Sequence, residues 1–327
     1  MIITKTPFRV SFFGGGTDYP EYFVQNGGGA VLGTAINNFG FFSCTKFHSR
    51  LFEYSIRIGY SKVECVKQVV DIQHAPFREC LQWCGIGRDI EVNYTAELPS
   101  FSGLGTSSTF VVGLINALHA YEGRGIRGLD LAYQAIELER ECLKESVGCQ
   151  DQIFAAVGGF NVVEFRATDD IIVHRIPWTK EQLRYFEEHL LVFFTGLRRR
   201  AEEVSAKQIQ KIDLNRDRLL QMRKMVDQGY DILTNKRDFS GFGELLHQSW
   251  CLKRELDESV SNSVIERIYE EGRAAGATGG KLLGAGGGGF LLFFTPPDKR
   301  ESVRQQLQRF EELHLSLNAP GSHIIHS

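Results

Sequence analysis

The chain has 327 residues, with 37 basic and 40 acidic side chains and a formal net charge of −3. A composition 43% hydrophobic and 24% charged excludes wholesale disorder, and the charge balance excludes a protein built mainly to coat nucleic acid. No run of about 18 apolar residues offers a membrane span, and MIITKTPFRVSFFGGG lacks the apolar core and cleavage site of a secretory signal.

The length predicts about two domains, and the first half reads as strand-rich. Phe8–Phe13 is an apolar run broken by Gly14-Gly15-Gly16. Ala30–Ile36 and Phe39–Phe47 flank a predicted Asn37-Asn38 turn, and Phe52–Ile58 follows with alternating apolar residues. Ile90–Ala96 alternates strictly, the pattern of a sheet with one wet face. Helical spacing then covers Thr106–Glu122, apolar nearly all round and stopped by Gly123, and Leu129–Lys144. Phe160–Phe165 and Ile171–Ile176 read as strands around a turn. Pro177-Trp178-Thr179 is the expected boundary, dividing the chain into domains 1–177 and 178–327. Beyond it the pattern predicts a strand at His189–Phe194 and a long charged helix from Ala201 to about Gln228. Helices near Phe242–Asp257 and Ser261–Ala275, strand Phe290–Thr295, helix Asp298–Leu313 and a strand-like tail complete it. Strands grouped with helices, without strict βα alternation, point to an α+β fold.

Thirty-four glycines against 8 prolines is an excess over the usual ~7% that does not look like a linker. The glycines concentrate in three loops. In Pro99-Ser100-Phe101-Ser102-Gly103-Leu104-Gly105-Thr106-Ser107-Ser108, a glycine turn follows the alternating strand and opens the buried helix. Unpaired N–H groups and the positive dipole end favour phosphate there, and glycines let the backbone approach closely. A Ser107 or Thr106 hydroxyl can reach phosphate or bound Mg²⁺. Lys281-Leu282-Leu283-Gly284-Ala285-Gly286-Gly287-Gly288-Gly289-Phe290 carries an ordering cost that close approach to a ligand or another loop would offset. In the first loop, Gly14-Gly15-Gly16-Thr17-Asp18 presents a carboxylate at a strand end, suited to a hydroxyl-rich ligand. A phosphoryl-transfer site needs a metal-binding carboxylate and a group to handle the accepting hydroxyl, and the loops make Glu139 and Asp151 candidates for them. The Walker pattern is absent, because Leu282 follows Gly280-Lys281. Seven scattered cysteines do not form a disulfide framework and fit a reducing cytoplasmic setting.

These three loops, in this order, resemble the motifs of the GHMP kinases (galacto-, homoserine, mevalonate and phosphomevalonate kinases). PSFSGLGTSS is similar to the family's ATP loop, KLLGAGGGGF to its third motif and TPFRVSFFGGGTDYP to its first. GGGTDYPEYF and Thr195–Ala201 are similar to segments of the sugar 1-kinases that act on D-glycero-D-manno-heptose 7-phosphate. The resemblance implies a ribosomal protein S5 domain 2-like N-terminal domain and a ferredoxin-like C-terminal domain, with ATP and Mg²⁺ as cofactors. It implies that Gly103, Leu104, Gly105, Thr106, Ser107 and Ser108 hold ATP phosphates, and that Ser107 and Glu139 hold the metal. Asp151 is expected to orient or deprotonate the sugar hydroxyl with Arg9 beside it; Gly15, Gly16, Thr17, Asp18, Gly286 and Gly287 are expected at the sugar. Arg199, within Arg198-Arg199-Arg200, is expected to clamp the substrate's existing phosphate through bidentate N–H contacts. The partners implied are a small-molecule sugar phosphate and ATP, with no nucleic acid or membrane and no implied oligomeric state. Other acceptors, such as a fucose-, galactose- or other hexose-type sugar, and a nucleotide-binding protein without turnover, remain alternative readings at this point.

Overall fold

The computed structural model describes residues 1–100, 102–199, 201–235 and 238–327. The first part contains β1 (Ile2–Phe13), α1 (Pro20–Phe23), β2 (Gly29–Lys46), β3 (Ile56–Gly59), β4 (Val63–Val66), α2 (Ala75–Cys84), β5 (Ile90–Ala96), α3 (Thr106–Tyr121), α4 (Leu129–Glu137), α5 (Gln150–Val157), β6 (Phe160–Ala167) and β7 (Asp170–Arg175). The second contains α6 (Lys180–Glu187), β8 (Leu190–Phe194), α7 (Ala201–Gln210), α8 (Arg216–Asn235), α9 (Ser240–Arg254), α10 (Ser263–Ala274), β9 (Gly279–Leu282), β10 (Phe290–Phe294), α11 (Arg300–Leu307) and β11 (His323–His326). The arrangement is mixed helix and sheet, as the grouping of patterns predicts.

The larger sheet runs β11-β1-β2-β5-β3-β4, with β6 and β7 branching from β2; the smaller runs β8-β10-β9. Residues of period two on β8 and β10 fix the layers. Leu190, Val192, Phe290, Leu292 and Phe294 face a core shared with Phe8, Val10 and Phe12 of β1. Leu191, Phe193, Leu291 and Phe293 face Trp250, Ile265 and Tyr269 on the other side. One apolar layer therefore joins the two sheets, while α2–α5 cover the far face of the larger one. The tail adds β11 antiparallel to β1, so the first sheet receives a strand from beyond the expected boundary.

Several expectations are corrected. Asn37-Asn38 is not a turn: β2 is continuous, and its pairing with β1 jumps there from Phe8↔Ile36 to Pro7↔Phe39. This bulge lies where β2 changes its other neighbour from β6 (Gly29–Thr34) to β5 (Gly40–Lys46). The Phe52–Ile58 strand shrinks to Ile56–Gly59, behind a 3₁₀ turn at Ser49–Leu51. The long charged helix is two helices broken by a 3₁₀ turn at Asp213–Asn215, where Asn215 is buried and its Nδ2 donates to Leu256 O at 2.8 Å. The predicted Leu129–Lys144 helix ends at Glu137 and passes into a π-turn at Leu138–Cys142. The Asp298–Leu313 helix ends at Leu307. Helices α1, α2, α5 and α6 and strands β4 and β9, all of ten residues or fewer, are absent from the sequence reading.

Candidate active site

The middle glycine loop leads from β5 into α3. Gly103 (φ +82°) and Gly105 (φ +76°) take left-handed conformations that side chains rarely adopt. A Cβ on Gly105 would lie 3.1 Å from Arg9 Cγ and 3.3 Å from Asp151 Oδ2. The loop is thus stripped of side chains where an ion pair crosses the helix start. Arg9 Nε donates to Asp151 Oδ1 at 2.8 Å and Nη2 to Oδ2 at 2.7 Å, a bidentate pair. Its remaining Nη1 donates to Gly103 O at 2.6 Å, and its backbone N–H to Leu104 O at 3.0 Å. β1, the loop and α5 are therefore fastened together at one side chain.

The first glycine loop follows β1 directly. Asp18 is 2% exposed; its Oδ1 accepts from Gly16 N–H at 2.9 Å and its Oδ2 from Gln150 N–H at 3.3 Å. Burial, with Asp151 nearby, pushes its carboxyl above the usual range. Gly148 makes room for it, since a Cβ there would sit 2.0 Å from Asp18 Oδ2.

The third loop closes onto the middle one, glycine against glycine. A Cβ on Gly103 would lie 2.5 Å from Leu283 O, and one on Gly284 2.6 Å from Gly103 Cα. Between the three loops lies a cavity of about 370 Å³. Its wall includes Arg9, Gly15, Gly16, Asp18, Gly103, Gly105, Thr106, Ser107, Ser108, Asp151, Arg199 and Gly286, so the structure brings most of the expected site residues together.

Four expected residues do not reach that wall. The Thr17 hydroxyl is spent within the fold, donating to Gly14 O (2.8 Å) and Ala30 O (2.9 Å). Leu104 packs into the shared core. Gly287 lies behind Arg199, whose Cδ would be 2.5 Å from a Cβ placed on it. Glu139 is enclosed in the π-turn, fully buried, and its nearest hydroxyl is that of Ser108, which donates to Oε2 at 3.0 Å. Gln152 Nε2 also donates to Oε2, while Oε1 has no hydrogen-bond partner among the described residues. Burial is the main reason its carboxyl is pushed up to about 8. Ser107 instead shares the cavity wall with Glu145, whose carboxyl is raised by burial and by Glu202 and lowered by Ser107. Arg199 is half-buried, with Nη1 3.4 Å from Ser259 O; Arg198 is exposed beside Phe194, and Arg200 lies outside the described residues.

The orphaned Glu139 oxygen and the hydroxyls at the helix start are the hard oxygen donors a divalent cation takes. Among the described residues no three His, Cys, Asp or Glu side chains converge on a metal position. That sparse set fits Mg²⁺, which keeps waters and shares its ligands with phosphates.

Sequence reasoning missed an apolar wall and two lysines. His74, Pro76, Tyr94 and Phe110 line the cavity, with ring centroids 5.3 Å apart for His74–Phe110 and 4.7 Å for Tyr94–Phe110. They suit a flat heteroaromatic group. Lys253 and Lys281 also line the cavity, and both are buried. Phe110, one turn into α3, was the one available signal, since it sits close to the phosphate-type loop.

The models "GHMP kinases N terminal domain" and "GHMP kinases C terminal" match residues 65–159 and 232–312. The chain is 30% identical, over 94% of its length and 93% of the relative's, to a D-glycero-alpha-D-manno-heptose 7-phosphate kinase of Campylobacter jejuni. It is 26% identical over 94% of its length to a bifunctional fucokinase/GDP-fucose pyrophosphorylase of Arabidopsis thaliana, 31% of which is covered. A crystal structure of a D-glycero-D-manno-heptose 1-phosphate kinase from Bacteriodes thetaiotaomicron has the same fold, with TM-score 0.79, 22% identity and full coverage of both chains. Among the described residues, no helix is long and apolar enough to cross a membrane. With both family models matched in order and their glycine loops meeting around one cavity, the chain belongs to the GHMP kinases and is an ATP-dependent phosphotransferase.

Proposed function

We propose that the chain transfers the γ-phosphoryl group of ATP to the anomeric hydroxyl of D-glycero-D-manno-heptose 7-phosphate, giving the 1,7-bisphosphate and ADP. The observation that carries this reading is the 30% identity, over 94% of the chain, to a relative named for that substrate. The division into domains 1–177 and 178–327 belongs to the same proposal.

The wall at His74, Tyr94 and Phe110 would receive the adenine, leading its phosphates to the start of α3. There the N–H groups of Gly105, Thr106, Ser107 and Ser108 meet anionic oxygens with the helix dipole behind them. Ser107, at the cavity wall, would hold Mg²⁺, and the buried Glu139 would join it only as the deprotonated carboxylate; when bound, the ion supplies charge neutralisation to the phosphates. Asp18 would accept hydrogen bonds from sugar hydroxyls, with Gly15, Gly16 and Gly286 allowing close approach. Arg199 would clamp the 7-phosphate. The acceptor oxygen would form a bond to the γ-phosphorus as the bond to the β-phosphate oxygen breaks. ADP would leave, and the hydroxyl proton would pass to Asp151, whose carboxylate is held in place by Arg9.

The test is a coupled ADP-release assay over a panel of sugars and sugar phosphates. The heptose 7-phosphate is expected to give the highest kcat/KM. Preference for an unphosphorylated fucose- or galactose-type sugar, the reading that the fucokinase relative favours, would overturn the acceptor assignment. ATP binding without ADP release on any acceptor would overturn turnover itself.

A further inference from the structure

Lys253 lies in the last turn of α9, one residue before its end, and is 6% exposed. Its ammonium donates to Leu282 O (3.5 Å) and to Gly284 O, the carbonyls on either side of Leu283 in the third glycine loop. Among the described residues it forms no ion pair with a carboxylate. A buried ammonium answered only by neutral carbonyls is costly unless an anion joins it. Lys253 also lines the cavity shared by Arg9, Asp18 and Asp151. Burial and the nearby Arg9 lower its ammonium to about 8, while Asp18 and Asp151 act in the opposite sense, so these four groups feel one another. Lys281 differs: its ammonium donates to Phe12 O at 2.8 Å and ties the third loop's strand to β1.

The seam between the loops fixes where Lys253 acts. Arg9 holds Gly103 O from one side, Lys253 holds Gly284 O from the other, and Gly103 and Gly284 touch backbone to backbone. We propose that Lys253 places a second positive charge on the phosphoryl group in transit, across the Gly103–Gly284 seam from Arg9. As the bond to the β-phosphate oxygen breaks and the acceptor oxygen bonds to phosphorus, the equatorial oxygens remain anionic. Arg9 is largely spent on Asp151, whereas Lys253 lines the cavity with a charge that no carboxylate among the described residues neutralises. Arg199, packed against Gly287 and Ser259, serves the substrate's resting phosphate instead.

The inference rests on the proposed phosphoryl transfer but not on the identity of the sugar. Its probe is Mg-ADP with aluminium fluoride, a flat anionic mimic of the phosphoryl group in transit. Dissociation constants are measured by calorimetry for wild type, Lys253→Met and Lys253→Arg, with Mg-ADP alone as the reference. Fluoride is expected to tighten Mg-ADP binding to wild type. Lys253→Met should lose most of that gain with Mg-ADP affinity unchanged, and should lower kcat about 10²-fold, the usual worth of one such group, with KM for ATP preserved. Lys253→Arg should recover part of both. Equal weakening of Mg-ADP with and without fluoride would show that Lys253 only anchors the loop; an unchanged kcat and fluoride gain would also overturn the proposal. A fluoride gain lost in Lys253→Met supports it even where no heptose phosphate yields ADP, an outcome that overturns only the acceptor assignment.

Discussion

The contact between Gly103 and Gly284 predicts a large effect from one methyl group. A Cβ on Gly284 would lie 2.6 Å from Gly103 Cα, 2.9 Å from its O and 3.1 Å from its C, all backbone atoms, whereas ordinary contacts begin at 3.4 Å. Gly284→Ala must therefore part the loops by about 0.8 Å, the difference between 3.4 and 2.6 Å. It also places alanine at φ +75°, a strain of about 1–2 kcal/mol. The same shift displaces Gly103 O from its 2.6 Å bond with Arg9 Nη1, spoiling the length and angle that bond depends on. Misplacement near 1 Å costs about 10²-fold in rate, so kcat should fall by roughly that factor. Because the strands flanking the loop keep their pairing, the fold should survive. Gly123→Ala is the control: its φ is +71°, but nothing lies within 4 Å, so it carries the strain without the clash. The assay is ADP release with the heptose phosphate, alongside urea unfolding. Wild-type kcat in Gly284→Ala, or an equal loss in Gly123→Ala, would refute the reasoning.

Three other outcomes follow. Asp151→Asn should lower kcat by about 10²–10⁴-fold with ATP binding retained; unchanged turnover would remove Asp151 from proton handling. Arg199→Ala should raise KM for the phosphorylated sugar far more than KM for ATP, and equal effects on both would sink the clamp. Glu139, held at about 8 against an ordinary 4.5, keeps a proton in the folded chain that the unfolded chain has already lost. Wild-type stability should therefore fall as pH rises from about 4.5 to about 8, by up to about 5 kcal/mol. Glu139→Gln should flatten that slope in urea unfolding at pH 5 and 8.5, and parallel slopes would overturn the assignment.

What was legible in the sequence was local. The three glycine loops announce themselves because positive φ and close backbone approach leave few alternatives to glycine. The strict alternation of Ile90–Ala96 marks its strand because one face is wet. Glu139 shows the limit. Its spacing gave a helix, but the π-turn that turns it inward depends on Ser108 and Gln152 waiting there. Nothing in the sequence marks Lys253 and Lys281 as buried, because their burial is set by contacts with Gly284, Leu282 and Phe12. Thr17 departs from expectation for the opposite reason: the resemblance puts it at the sugar, yet Gly14 O and Ala30 O consume its hydroxyl. The Asn37-Asn38 pair has turn chemistry, but β2 runs on through it and changes its partner from β6 to β5 with a bulge instead.

The same distinction explains why catalysis here would depend on both halves of the chain. Arg9 comes from β1, Asp151 from the start of α5, and Lys253 from the end of α9, and none of these elements adjoins another in sequence. Each is fixed by a backbone atom of a glycine loop or by a neighbour that such an atom holds. Phe12, whose ring packs against Phe242 of α9 at 5.5 Å, lies three residues along β1 from Arg9. Its carbonyl receives Lys281, at the strand that leads into Gly284. A shift of α9 therefore moves Lys253 against the third loop while the shared apolar core resists it. Charge placement at the seam is consequently a property of the core as well as of the loops. A cavity made among Phe12, Phe186 and Phe242, rings packed at 5.0–5.8 Å, would be felt at the phosphoryl group without touching it.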